Sequence, residues 1–387
     1  MKIIITTPIW GEEYTRFFVD YALPSLLCDG NLHALGRDFD CRYVLHTDAV
    51  GQAILEDSPA FAALSEIMAV DLRVFVPEWR HTAMIKCHNE CLDEASRTNA
   101  GLIVISPDCI WSSDSLRHLK AIIDGGKRLV YICGLRCDKS RSMDSLGAHR
   151  TGDGTLAMST AALARLAIDA PHEITRTHYW EDDDTDLMPA YLIWRLDDDA
   201  LLIRGFSQAI LFMKPERAIG NSHLTVDGAI GEILYRDDSA VHLETDNNRI
   251  MCVEFSSPAR SFGTVCPKGD FDGIMNWVER YTTPRGRRMA EVPVRVSVGS
   301  VEPDQWQALV RQSGEIVTTI LDRRRRSLPY LLLHHQDQAV ARLAAFWHGQ
   351  GDFYSFELAP GRVLGRVKDL LRPVKRFLVT RQKSLRA

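Results

Sequence analysis

The apolar run "LIVIS" at 102–106 meets Pro107 and Asp108 and then a helical pattern, so a lone carboxylate stands just past a strand-like segment. A carboxylate so placed can hold a hard cation through its oxygens, or exchange a proton if burial tunes it. Polar residues also follow the other apolar runs: Thr7, Pro8 and Trp10, then Thr47 and Asp48, then Glu78. Farther along, "HYWEDDDTD" (178–186) sets Glu181, Asp182 and Asp183 beside His178 and two aromatic rings, and "NSHLTVDG" (221–228) presents His223 and Asp227. Cys87 and Cys91 stand one helical turn apart near His81 and His88, which is zinc-like spacing. Each feature has a plain alternative. Ser-Pro-Asp punctuates chains, Ser112 or Ser113 can cap the next helix, acidic runs are commonly solvated loops, and reduced cysteine packs as a small apolar residue.

The elements that must position these residues are legible as alternation. Short β-rich runs at 2–7, 41–47, 71–76, 101–106 and 128–133 are separated by helical patterns at 12–27, 82–98 and 113–126. Apolar strands interleaved with amphipathic helices predict an α/β fold, a doubly wound, mostly parallel sheet covered on both faces. Ligands bind such sheets beyond the carboxyl ends of the strands, which is where the polar residues above collect. From 150 to 260 the pattern loosens, with a helix expected at 159–168 and strands near 200–203, 209–213 and 251–255. Helices are expected at 270–281, 303–321 and 336–347. The chain divides on this reading into a domain over 1–260, a mainly helical extension over 261–360 and a basic tail over 361–387.

The commoner phosphate cradles are absent. The first strand runs into "TTPIWGEE" rather than G-x-G-x-x-G, and no G-x-x-x-x-G-K-[ST], G-x-S-x-G or H-E-x-x-H occurs. A divalent metal can bridge two phosphates without a glycine loop and offset the charge on a departing nucleoside diphosphate. At this point residues 86–116, "KCHNECLDEASRTNAGLIVISPDCIWSSDSL", resemble the GT-A glycosyltransferases, specifically the family 2 order of asparagine-bearing helix, apolar strand, Asp-x-Asp and helix start. Asn89 falls on the helix asparagine, Ser106 on the first Asp of the motif and Asp108 on the second. The first carboxylate is thus a serine in this chain.

The resemblance covers roughly residues 1–255 and implies a sugar transfer from a nucleoside diphosphate donor to a glycan or glycolipid hydroxyl, with Mn²⁺ or Mg²⁺ held by Asp108 and assisted by His223. It implies that Pro8, Trp10 and Asp48 lie at the base and ribose, that Asn89 and Ser106 lie along the donor, and that one of Glu181, Asp182 and Asp183 is the general base if the reaction inverts; Lys86, near a strand end, could reach the donor's phosphates. Two alternatives stay open: a GT-A-shaped scaffold without catalysis, and a metal-independent transferase using Lys86, Arg136 or helix N-termini for the diphosphate.

Composition sets the surroundings. The chain has 387 residues, 45% hydrophobic and 25% charged, enough for a large core. A net charge of -5 gives no general attraction to nucleic acid. Nine cysteines at irregular spacing, with an opening apolar run too short for a signal segment, lead to an expectation of reduced thiols and a cytoplasmic protein. In the tail, Val363, Leu364, Val367, Leu370, Leu371, Val374, Phe377 and Leu378 share one helical face, and nine Lys or Arg stand against one Asp. That pattern suits peripheral binding to an anionic membrane surface.

Overall fold

A computed structural model describes residues 1–77, 80–182, 184–186, 190–218, 226, 230–235, 237–257, 265–267 and 271–326. The strands are β1 (Lys2–Pro8), β2 (Asp40–Thr47), β3 (Ala69–Val74), β4 (Gly101–Val104), β5 (Cys109–Trp111), β6 (Leu129–Ile132), β7 (Leu135–Asp138), β8 (Asp184–Asp186), β9 (Tyr191–Asp197), β10 (Ala200–Gly205), β11 (Ala209–Met213), β12 (Val241–Leu243), β13 (Cys252–Ser256), β14 (Val265–Pro267) and β15 (Val294–Ser297). Seven of them form the central sheet in the order β12-β6-β11-β4-β1-β2-β3. β1 pairs in parallel with β2 and β4, β2 with β3, and β6 with β12, while β11 alone runs antiparallel, between β4 and β6. The expected α/β, mostly parallel architecture is therefore the observed one. β1 is buried at all but its first residue, as a central strand covered on both faces must be.

Helix starts follow local chemistry. Asp48 caps Ala49–Glu56 through Gly51 N at 2.7 Å, Ser58 caps Pro59–Ile67, and Ser159 caps Thr160–Asp169 through Ala162 N at 3.1 Å. Neither Ser112 nor Ser113 caps the helix Ser115–Asp124; Ser112 meets Ser115 Oγ at 2.6 Å and Ser113 donates to Met158 O at 3.0 Å. The first helical stretch, expected as one helix over 12–27, passes through a π-turn at Phe18–Ala22 just before Pro24. Pro24 has no N–H for the Asp20 carbonyl four residues earlier, and Arg150 Nη2 donates to that carbonyl instead.

The helix Arg80–Thr98 lies along β1 and is tied to the sheet edge by charge. Arg73 binds Asp71 at 2.6 Å, Glu90 at 2.7 Å and Glu94 at 3.0 Å, and Arg42 joins Asp71 and Glu94. Beneath this layer His88 is buried beside His46. Cys87 and Cys91 are buried free thiols, with Cys91 Sγ donating to Thr6 Oγ1 at 3.4 Å, so the described part of that helix shows packing rather than a zinc site.

A second core joins the β9–β10 hairpin to the helices Phe271–Tyr281 and Pro303–Arg326 around Trp194, Leu202, Phe206, Ile274, Val278 and Ile320. Segment 261–360, read as mainly helical, also adds β15 to this hairpin, antiparallel to β10. Arg204, 2% exposed, crosses the interface: its Nε donates to Ser313 Oγ at 3.1 Å, its Nη2 to Val310 O at 2.8 Å, and its Nη1 to Glu291 O. Carbonyl and hydroxyl oxygens thus take the place of a counter-ion. The helix expected at 336–347 and the tail at 361–387 lie outside the described residues. No described helix is long and apolar enough to cross a membrane.

Burial makes a prediction about pH. The imidazoles of His88 and His178 are held down to about 4, first by burial and then by the neighbouring charge of His46 and Arg136 respectively. Between the ordinary histidine range near 6.5 and that value, the unfolded chain binds protons that the native chain refuses, so stability is full above the window and falls as pH drops through it. Each histidine accounts for a loss on the order of 3 kcal/mol across the window. His88→Gln is expected to flatten the fall in urea midpoint between pH 6.5 and 4; an unchanged slope contradicts the assignment.

Candidate active site at the carboxyl ends of the strands

β4 ends at Val104, and Ser106-Pro107-Asp108 turns the chain into β5. β5 does not join the central sheet. It pairs antiparallel with β13, which pairs in parallel with β7, so a three-stranded sheet sits at the carboxyl end of β4. This small sheet gathers the charged groups. Glu254 lies opposite Cys109 on one side and Arg136 on the other, and Phe255 N donates to Asp108 O at 2.9 Å. Arg136 grips Glu254 with two parallel bonds, Nε to Oε1 at 2.8 Å and Nη2 to Oε2 at 2.9 Å. Ser256 Oγ adds a third at 2.8 Å.

Among the described residues no cation is bonded to Asp108 in this way. Ser106 Oγ donates to its Oδ1 at 2.7 Å, and burial followed by the charge of Glu254 pushes its carboxyl up to about 7. Two carboxylates in one partly dry corner, with one arginine tied to the second of them, leave Asp108 poised to take a proton or a metal.

The wall beyond Arg136 leads to the acidic segment. The Arg136 carbonyl accepts from His172 N at 2.9 Å and Thr175 Oγ1 at 2.8 Å, which seats the short helix Glu173–Arg176 on β7. His178 follows, buried and neutral at pH 7, its ring edge-on to Tyr191 at 6.0 Å. Glu181 Oε1 then accepts from Arg195 N at 3.1 Å, and Asp182 Oδ1 from Arg195 Nη1 at 3.2 Å. Tyr179 is 1% exposed, with the Arg195 guanidinium 3.6 Å over its ring, and Trp180 packs on Trp194 and Phe271. Tyr179 is thus packed within the protein, while Trp180 stays half-buried.

On the other flank, Pro8 is buried in register with His46 at the end of β1. Trp10 is half-buried and meets Phe75 edge-on at 5.7 Å. Asp48 uses both oxygens on backbone, Oδ1 on Gly51 N and Oδ2 on Gly11 N at 3.1 Å, so it holds the β1 loop that carries Trp10. Asn89 is buried and Lys86 exposed on the helix Arg80–Thr98. Asp183, His223 and Asp227 lie outside the described residues, as does Glu78. Among the sequence candidates the structure therefore joins Ser106 with Asp108 and links them through Glu254 and Arg136 to His178. Glu254 was not singled out from sequence. Its signal was there, a lone carboxylate interrupting the apolar run "MCVEF".

No protein-family model and no curated protein matches the chain. Among solved structures, S. aureus TarS is 15% identical over 35% of this chain and 36% of its own, with a TM-score of 0.25. Mouse xyloside xylosyltransferase 1, apo form, is 10% identical over 39% and 57%, with a TM-score of 0.22. The mannosyltransferase PcManGT from Pyrobaculum calidifontis, solved with GDP-Man and Mn²⁺, is 13% identical over 95% and 86%, with a TM-score of 0.27. The chain spans less than two thirds of the first two. Likenesses this distant carry no argument, and the architecture rests on the strand order above.

The raised Asp108 carboxyl sets a sign. Its native pKa lies above the ordinary aspartate value, so the unfolded chain loses this proton first and Asp108 subtracts stability as pH rises from about 4 to about 7. In EDTA, Asp108→Asn is expected to stabilise the protein at pH 8 by on the order of 1–2 kcal/mol, after allowance for partial exposure, and to have little effect at pH 4. A destabilised variant at pH 8 contradicts this account.

Proposed function

We propose that this chain is a GT-A-like glycosyltransferase moving a sugar from a nucleoside diphosphate sugar to a glycan or glycolipid hydroxyl. The observation that carries the reading is Asp108, at the carboxyl end of a central strand, with burial and then the charge of Glu254 raising its carboxyl. Asp108, the Ser106 hydroxyl and Glu254 are hard oxygen donors of the kind that Mn²⁺ and Mg²⁺ accept. No described group of three or more His, Cys, Asp or Glu could hold a metal, so the donor's phosphates complete the shell in this reading. A divalent cation there would offset the charge on the departing nucleoside diphosphate. The chain's own groups do the rest. Ser106 orients Asp108, and Arg136 fixes Glu254 while keeping its charge local.

The base and ribose are assigned to Pro8, Trp10 and the loop braced by Asp48, and the donor's path to Lys86 and Asn89. His223 is retained as an assisting ligand. The general base of an inverting transfer is assigned to one of Glu181, Asp182 and Asp183, of which Glu181 and Asp182 are engaged by Arg195. The tail 361–387 is assigned to an anionic membrane surface on the cytoplasmic side, where a lipid-linked acceptor would lie. A second reading draws on the same carboxyl: losing its proton near pH 7, Asp108 suits a general base in a metal-independent transfer.

Thermal unfolding against UDP, GDP, CMP and dTDP, each with and without Mn²⁺, tests both. A ligand at 100 times its Kd adds about 2.7 kcal/mol. The proposal expects one nucleotide to stabilise the protein only with Mn²⁺, and Asp108→Ala to abolish the shift. A shift indifferent to EDTA selects the metal-independent reading. No shift with any nucleotide, in well-folded protein, leaves a non-catalytic scaffold.

A further inference from the structure

β3 closes the central sheet on one side, and among the described residues it pairs with β2 alone. A free edge is a row of unpaired N–H and C=O groups that templates pairing with another chain, so folds commonly blunt it with a bulge, a proline, a lysine or a covering element. β3 has none of the first three: it reads "AVDLRV" and its register with β2 is unbroken. The helix Arg80–Thr98 packs chiefly over β1 and β4 rather than over β3. No residue of β3 is buried, in contrast to β1, and Val74 is 49% and Val76 87% exposed.

One bond fixes which groups face outward. Phe75 N donates to Thr47 O at 2.8 Å, so the backbone of Phe75 faces β2. By alternation Asp71 and Arg73 face β2 as well, while Val70, Leu72, Val74 and Val76 turn their N–H and C=O to the free side. The side chains alternate between the sheet faces. Asp71 and Arg73 lie on the face of the helix Arg80–Thr98, where Arg73 binds Glu90 and Glu94. Val70, Leu72 and Val74 lie on the other face, where the helix Pro59–Ile67 packs on β3.

The charges choose the partner and the register. A two-fold axis normal to the sheet sets β3 antiparallel to β3 of a second copy, with like faces on one side. Centred on Asp71, this pairing opposes two carboxylates; centred on Arg73, it opposes two guanidinium groups. Both sit at the closest spacing of an antiparallel pair, about 4.5 Å between Cα atoms, where like charges destabilise. Centred on Leu72, the pairing sets Asp71 opposite Arg73 twice, Val70 opposite Val74 twice, and Leu72 opposite itself. Asp71 meets Arg42 and Arg73 through Oδ2, and Oδ1 has no bond among the described residues. The same register brings Val76 alongside the start of the partner's strand. We infer that β3 pairs antiparallel with β3 of a second copy of this chain, centred on Leu72, so that the two central sheets become one. The outward residues from Val70 to Val74 then exchange about six backbone hydrogen bonds across the axis. The pairing also braces the segment after β3, where Phe75 meets Trp10.

Sedimentation equilibrium of the full chain over a concentration series tests this. Wild type is expected to dimerise reversibly. Val74→Pro removes an outward N–H that the monomer does not use, and Asp71→Arg opposes arginine to arginine across the axis while Glu90 and Glu94 still hold Arg73. Each is expected to keep the wild-type circular dichroism and to weaken the dimer at least about tenfold. Leu72→Cys is expected to form an intermolecular disulfide under mild oxidation, since residues opposite each other there stand about 5.5 Å apart at Cα. Val50→Cys, exposed away from the axis, serves as the control that does not. A wild type that stays monomeric at its highest soluble concentration overturns the inference. So does a dimer that Asp71→Arg leaves intact, or one in which Leu72→Cys crosslinks no faster than Val50→Cys, because another surface or register then joins the copies. Should Val74→Pro not fold, these two results decide alone.

Discussion

Burial of the Asp108 carboxyl, beside the charge of Glu254, sets the character of the carboxyl end of β4. Asp108 and Glu254 are brought together by the pairing of β5 with β13, and only Glu254 receives an arginine. Burial and like charge then hold Asp108 at about 7, where a proton or a divalent cation relieves the repulsion. A fold that merely needed stability would place an amide or an apolar residue there. Keeping the second carboxylate sacrifices stability at neutral pH.

The rest of the architecture serves that corner. The parallel strands β1, β2 and β4 deliver Trp10, Asp48 and Asp108 to one end of the central sheet. β7 carries Arg136 and, through its carbonyl, seats the helix that leads to His178 and the acidic segment. The second core anchors the far wall. Arg204, buried among carbonyl and hydroxyl oxygens, links the β9–β10 hairpin to the long helix Pro303–Arg326 and so steadies the strand that ends at Gly205.

Much of this was legible in the residues, and what was not has physical causes. The apolar runs at 2–7, 41–47 and 101–106 became β1, β2 and β4 because each buries side chains on both faces, a local signal. Asp108 was found because a carboxylate after such a run stands out. The strand expected near 251–255 became β13, but β5 and β7 escaped notice because strands of three or four residues are defined by partners more than a hundred positions away, as Trp111 is from Cys252. Glu254 escaped for the same reason, since its importance comes from Asp108 and Arg136 rather than from its neighbours in sequence. Asp48 was located at the correct strand end, but its capping bonds to Gly51 and Gly11 depend on where the β1 loop travels.

The most direct test of the central claim is the pH dependence of Mn²⁺ affinity, measured by electron paramagnetic resonance in the presence of the nucleoside diphosphate that stabilises the protein. A cation that displaces the Asp108 proton must bind more tightly as pH rises through about 7 and release about one proton per metal below that point. The account predicts this rise in the wild type and its absence in Asp108→Asn. Affinity that is flat between pH 6 and 8, or equal in the two proteins, would contradict it.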